Sequence, residues 1–164
     1  MIATLSAQVG AALKAHGLML TTAESCTGGG VAQAITEVSG SSAWFERGFV
    51  TYSNLSKQQM LGVSAATLGQ HGAVSEAAVR EMVGGALAHS TAQVAVAVSG
   101  IAGPDGGTAD KPVGTVCFAW EMTRGACISR RHQLSGGRGE VREQAVIIAL
   151  QGVLELLANR SEFA

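Results

Sequence analysis

Ser25 and Cys26 stand side by side in TTAESCTGGG, residues 21 to 30, directly ahead of Thr27 and three glycines. A hydroxyl or thiol between an apolar stretch and a glycine-rich turn is placed to attack a carbonyl carbon, and the amides of Cys26, Thr27 or Gly28 would then lie near the resulting oxyanion. Glycines such as Gly28 and Gly29 let a backbone approach a ligand closely, and the amides of a helix start favour negative charge. The plainer alternative makes Ser25 or Thr27 a helix N-cap and the glycines packing. A serine nucleophile needs a base. His16, His71, His89 and His132 are scattered away from this loop, whereas Lys57 lies one turn into a helix after the second strand. To act as a base its amine must be neutral near pH 7, about three units below the ordinary ~10.4, at a cost of roughly 4 kcal/mol. Burial must supply that shift. Tyr52, the only tyrosine, precedes it in TYSN and is placed to hydrogen-bond the amine, to relay a proton, or to pack at a strand end.

Two other loops offer contacts to an anion. SGIAGPDGG, residues 99 to 107, holds Gly103 and Asp105 in a turn whose amides can form a nest for a phosphate. GGRGEVR, residues 136 to 142, opens the final helix, so Arg138 and Arg142 can face an anion there or simply be solvated. Tyr52 to Lys57 is one residue too long for the Tyr-x-x-x-Lys of short-chain dehydrogenases, and no strand is followed by GxGxxG, which disfavours hydride transfer. Two further classes stay open: a thiol hydrolase using Cys26, whose pKa would fall beside a helix N-terminus, and a nucleotide-binding module without chemistry.

The elements that position these loops show in the periodicity. Leu5, Val9, Ala12 and Leu13 repeat at helical spacing, with Gly17 as the terminating glycine. Residues 18 to 24 read as a strand and a helix begins at Gly29. Residues 46 to 53 form the next strand, and a short helix follows with Asn54 as its N-cap. Ser75 caps a helix carrying Val79, Met82, Val83, Ala86 and Leu87. In QVAVAVSG, 93 to 100, apolar residues face both ways, as in a central strand covered by helices on both sides. Residues 113 to 120 and 126 to 134 pair as a hairpin joined near Arg124 and Gly125, and a helix with Val146, Ala149, Leu150, Val153, Leu154 and Leu157 on one stripe closes the chain. The result is a single three-layer α/β/α domain with a mixed sheet over residues 1 to 164.

Composition narrows the partners. Net charge is -1, with 47% hydrophobic and 14% charged residues, so no basic field is available for nucleic acid or an anionic membrane. A small-molecule substrate is expected. No apolar run reaches the ~20 residues of a membrane span and no signal-peptide pattern opens the chain, so the expected location is the cytoplasm. Cys26, Cys117 and Cys127 lack CxxC spacing and the histidines lack HxH or HxxxH pairs, which argues against a disulfide framework and against a metal centre; no cofactor is expected. Whether the chain forms a homo-oligomer is left open.

Four stretches carry a resemblance. AESCTGG at 23 to 29, GSSAWFERGFVTYSN at 40 to 54 with Lys57 after it, HGAVSE at 71 to 76, and SGIAGPDGG with KPVGTV at 111 to 116 resemble the CinA carboxy-terminal domain family, in this order and over nearly the whole chain. The resemblance implies a deamidase that converts nicotinamide mononucleotide to nicotinate mononucleotide and ammonia through a serine-lysine dyad, without a metal. By motif position it implies Ser25 as nucleophile, Lys57 as general base and Tyr52 as the assisting residue. Thr27, Asn54, Gly103 and Asp105 fall on pocket positions, beside the backbone of Gly28 and Gly29. GGR at 136 to 138 stands where many relatives have Gly-Asp-Arg.

Overall fold

The computed structural model describes residues 1–159, so the last five positions of the expected domain lie outside the described residues. Its elements are α1 (Ile2–His16), β1 (Leu20–Glu24), α2 (Gly30–Thr36), β2 (Phe45–Val50), α3 (Asn54–Leu61), α4 (Ala65–His71), α5 (Glu76–Ala88), β3 (Val94–Gly100), β4 (Thr115–Met122), β5 (Cys127–Gln133) and α6 (Arg138–Asn159). One five-stranded sheet runs in the order β2-β1-β3-β4-β5. β1 pairs in parallel with β2 and β3, while β4 is antiparallel to both β3 and β5, so the sheet is mixed and β3 is central.

The alternation in β3 builds the layers. Val94, Val96 and Val98 point into one core with Leu20, Val116, Phe118 and Trp120, beneath α1, α2 and α6. Ala95 and Ala97 point the other way with Ala23, Cys117 and Ala119, beneath α3 and α5. Large side chains on one face and small ones on the other set different helix distances. On the small-residue side α5 comes close to α3, and a Cβ built on Gly85 would lie 1.8 Å from the Leu61 carbonyl oxygen. Since α3 carries Lys57, this contact fixes the height of the lysine above the sheet. Gly85→Ala gains up to about 1 kcal/mol of helix propensity and meets an overpacking cost of about 1–3 kcal/mol against backbone that cannot rotate away. The expected outcome is a net loss, read as a Tm several degrees below the parent by calorimetry, with turnover falling as α3 is displaced.

Two local expectations change. The N-cap of α3 is Ser53 and not Asn54: Ser53 has extended backbone, its Oγ accepts from the Ser56 amide, and the Ser56 hydroxyl in turn accepts from the Ser53 amide. Asn54 is already the first helical residue. The short helix α4 had no counterpart in the sequence reading, because none of its residues is buried and no apolar stripe marks it. Gly17 terminates α1 in the left-handed conformation at φ 65°, and Ser75 caps α5, as the spacing indicates.

Candidate active site

β1, β2 and β3 end side by side, Glu24 pairing with both Val50 and Val98. Ser25 follows immediately, and its amide donates to the Val98 carbonyl, so the strand geometry holds its backbone in place. α3 starts four residues after β2 and turns Lys57 and Leu61, one helical turn apart, toward the sheet. Lys57 is 1% exposed and Ser25 8%. The Lys57 Nζ lies 3.0 Å from Ser25 Oγ and donates to the Thr51 carbonyl at 2.9 Å.

Among the described residues this lysine has no carboxylate partner. The ion pairs among the described residues, Arg47 with Glu46 and Arg130 with Glu155, are on the surface. Burial therefore disfavours the ammonium and lowers the Lys57 pKa from its ordinary value, with the nearby Cys26 opposing weakly. A buried amine of lowered pKa hydrogen-bonded to a serine hydroxyl is equipped to remove its proton.

The turn that carries Ser25 is anchored by Glu24, which sequence reasoning passed over. The Glu24 carboxylate is 1% exposed and accepts from Thr27 Oγ1 at 2.5 Å, from the Val31 amide at 2.8 Å and from the Ala32 amide at 3.1 Å. The negative charge thus sits at the start of α2 and occupies amides that the sequence left free for a ligand. Its signal was an acidic residue closing a wholly buried strand just before a helix. Gly28 and Gly29 take φ of 60° and 97°, a left-handed pair that only glycine accommodates without strain. The Gly28 amide donates to the Ser25 carbonyl and so is unavailable to an oxyanion, while among the described residues the amides of Cys26 and Thr27 donate to no backbone carbonyl.

The remaining candidates divide. Arg142, which the sequence left as either facing an anion or solvated, donates from Nε to the Cys26 carbonyl at 3.1 Å and from Nη2 to the Thr27 carbonyl at 3.3 Å, bracing the turn from α6. Thr27 turns its hydroxyl inward and donates to Glu24. Tyr52 is exposed, and its hydroxyl accepts from Arg138 at 3.0 Å rather than meeting Lys57, which is satisfied by Ser25 and the Thr51 carbonyl. Arg138 also donates to the Gly103 carbonyl at 2.8 Å and so ties the 99–107 loop to the α3 approach. Asn54 and Asp105 are exposed at the ends of α3 and of that loop. Among the described residues, no cluster of three or more His, Cys, Asp or Glu could hold a metal, and no helix is long and apolar enough to cross a membrane.

The thiol alternative loses its basis here. Burial pushes the Cys26 thiol up to about 11 despite the adjacent α2 start, because Glu24 already sits there and repels a thiolate. At neutral pH Cys26 is a protonated, buried group. Cys26→Ala is expected to retain turnover within a few-fold, and iodoacetamide at pH 7 to leave activity intact; complete inactivation together with a dead Cys26→Ala variant would restore the thiol as nucleophile.

Fold and site together define an α/β/α domain with its functional groups where parallel strands hand over to helices. The chain belongs to the CinA C-terminal domain family, whose sequence profile matches residues 2–157. It is 63% identical over 147 residues to the nicotinamide-nucleotide amidohydrolase PncC of Escherichia coli K12, covering 90% of this chain and 89% of that protein. A Pseudomonas putida protein of the same name is 56% identical over 156 residues, covering 94% and 96%. Among solved structures, the competence/damage inducible protein CihA from Agrobacterium tumefaciens matches with a TM-score of 0.93 at 46% identity over 94% of each chain.

Proposed function

We propose that this chain hydrolyses the carboxamide of nicotinamide mononucleotide, giving nicotinate mononucleotide and ammonia, as a single amidase domain without a metal. The observation that carries the reading is the buried Lys57 amine at 3.0 Å from Ser25 Oγ, in a chain whose relatives bear the amidohydrolase name. Neutral Lys57 takes the Ser25 proton as Oγ attacks the carboxamide carbon, made more electrophilic by the cationic ring. The amides of Cys26 and Thr27 stabilise the oxyanion. The tetrahedral intermediate collapses, the C–N bond breaks, and Lys57 returns its proton to the departing ammonia. Water, deprotonated by the same amine, then cleaves the acyl-enzyme and restores Ser25.

The rim supports a substrate with an anionic tail. Arg138, held between Tyr52 and Gly103, is an exposed cation at this rim, near Asn54, Asp105 and the glycine backbone. Tyr52 acts in this reading through Arg138 and its exposed ring, and Arg142 acts on the turn. Binding of the 5′-phosphate fixes the pose of the carboxamide against Ser25.

Ammonia release tests the proposal. Nicotinamide mononucleotide should be turned over, and nicotinamide riboside, which lacks the phosphate, at least about 100-fold less efficiently in kcat/KM, the scale of a lost charge-assisted contact. No ammonia from the mononucleotide would refute the deamidase reading; equal turnover of the riboside would remove the anion contact.

A further inference from the structure

Buried hydroxyls without a partner are rare in proteins. Four occur among the described residues, on Ser6, Thr22, Thr51 and Ser99. Thr22 alternates with Leu20 toward the α1–α2–α6 core, and Ser6 lies on α1 itself. Thr51 and Ser99 are placed differently. They stand one residue beyond Val50 and Val98, the partners of Glu24, and so flank Ser25 on its two neighbouring strands, about 4.8 Å away on each side. All three positions share the face of Ala23 and Ala97, where Lys57 descends from α3. Thr51 and Ser99 are 0% and 1% exposed, so substrate cannot touch them.

The proton transfer changes what Lys57 has to donate. A neutral amine has one lone pair and two hydrogens; after taking the Ser25 proton it has three hydrogens to place. Ser25 Oγ and the Thr51 carbonyl are its protein partners, and once Ser25 Oγ is bonded to the carboxamide carbon in the tetrahedral intermediate it is a poor acceptor. The ammonium then has more donors than acceptors just as it forms. We propose that the Ser99 and Thr51 hydroxyls are positioning residues that accept hydrogen bonds from the Lys57 ammonium, holding it until the proton is returned. The inference rests on the Ser25–Lys57 reading of the site. A change between staggered χ1 rotamers moves a Ser or Thr hydroxyl oxygen without backbone movement, and the O–H hydrogen itself turns to leave a lone pair facing the amine.

Other charges do not take this role. Glu24 is committed to Thr27 and the α2 amides, Arg142 to the turn carbonyls and Arg138 to Tyr52 and Gly103. Cys26 and Cys117 are thiols held protonated by burial, and Tyr52 is bound to Arg138. On α5, Glu76 and Arg80 meet Ser129 while Glu81 meets Ser64 and Thr67. On β2, Glu46 and Arg47 pair with each other.

The chain has three lysines, Lys14, Lys57 and Lys111, so the titration of Lys57 can be followed directly by NMR of its ε-methylene in the free enzyme, without substrate. Ser99→Ala and Thr51→Val are each expected to lower the Lys57 midpoint by about half to one pH unit, since an acceptor for the charged form is lost. The acid limb of kcat should move the same way and its plateau fall several-fold, with KM unchanged. Thr51→Ser, which keeps a hydroxyl, should titrate as the parent. Thr22→Val, which removes an equally unpartnered hydroxyl on the opposite face, should move nothing. Neither hydroxyl is hydrogen-bonded at rest, so Tm should hold in both variants. A Lys57 midpoint unmoved in both Ser99→Ala and Thr51→Val, or moved as far by Thr22→Val, overturns the proposal. Shifted midpoints in an enzyme that releases no ammonia from the mononucleotide would support this role while refuting the substrate.

Discussion

Ser25→Ala is expected to lower turnover of nicotinamide mononucleotide on the order of 10⁴-fold or more while leaving the fold and substrate binding nearly intact. Its Oγ accepts no structural burden beyond the Lys57 contact, and the backbone that places it is held by the Val98 carbonyl and by Glu24. Lys57→Arg should fail about as badly, because a guanidinium stays protonated and offers no lone pair. Lys57→Met, closer in shape for a side chain only 1% exposed, gives the same test without a new buried charge. The double variant should be little worse than either single one, since nucleophile and base act as a unit. The pH profile adds an independent check. Burial lowers the Lys57 pKa, the proposed mechanism needs the neutral amine, and so kcat/KM should rise with pH through a group titrating below an ordinary lysine. That limb should be missing from the residual rate of the Lys57 variants. Near-normal turnover in Lys57→Arg would make Lys57 a binding charge and leave the base to be found elsewhere.

The layers were legible where periodicity is strong. Val94, Val96 and Val98 against Ala95 and Ala97 announce a strand covered on both faces, and the stripe from Val146 to Leu157 announces the helix that covers one of them. α4 was not legible, because an exposed turn stabilised by its Ser64 cap needs no apolar pattern. The Ser25–Lys57 contact spans 32 positions and depends on β2 lying beside β1, a fact of strand order that local spacing does not contain. Its place one turn into the helix after the second strand made Lys57 a candidate base, and the recurrence of four motifs strengthened that reading. The same limit explains Arg142: on a helix start it reads as an anion ligand, whereas packing of α6 on α2 delivers it to the carbonyls of the turn. Glu24 could not be read from spacing either, because its acceptor role depends on the α2 amides of Val31 and Ala32 folding back over the end of β1.

Glu24 gives the second large expected effect. In Glu24→Ala three donors, the Thr27 hydroxyl and the Val31 and Ala32 amides, lose their acceptor inside the protein. Each unmet buried donor costs about 1–3 kcal/mol, so a total loss of roughly 3 kcal/mol or more is expected, or a Tm lower by roughly 6–12 °C for a chain of this size. Glu24→Gln separates charge from shape. Its amide nitrogen must face a donor, since all three partners donate, so one bond is lost and the favourable charge at the α2 start disappears. The expected order in Tm is therefore parent, then Glu24→Gln, then Glu24→Ala. Turnover should follow the same order, because the carboxylate fixes Thr27 and the α2 start, and with them the Cys26 and Thr27 amides that we propose meet the oxyanion. The loss should fall on kcat more than on KM, since the cationic rim at Arg138 is built on Tyr52 and Gly103 and is untouched. A Glu24→Ala variant that kept both Tm and kcat would show that the glycine turn holds its shape unaided, and that Arg142 alone is enough to brace it.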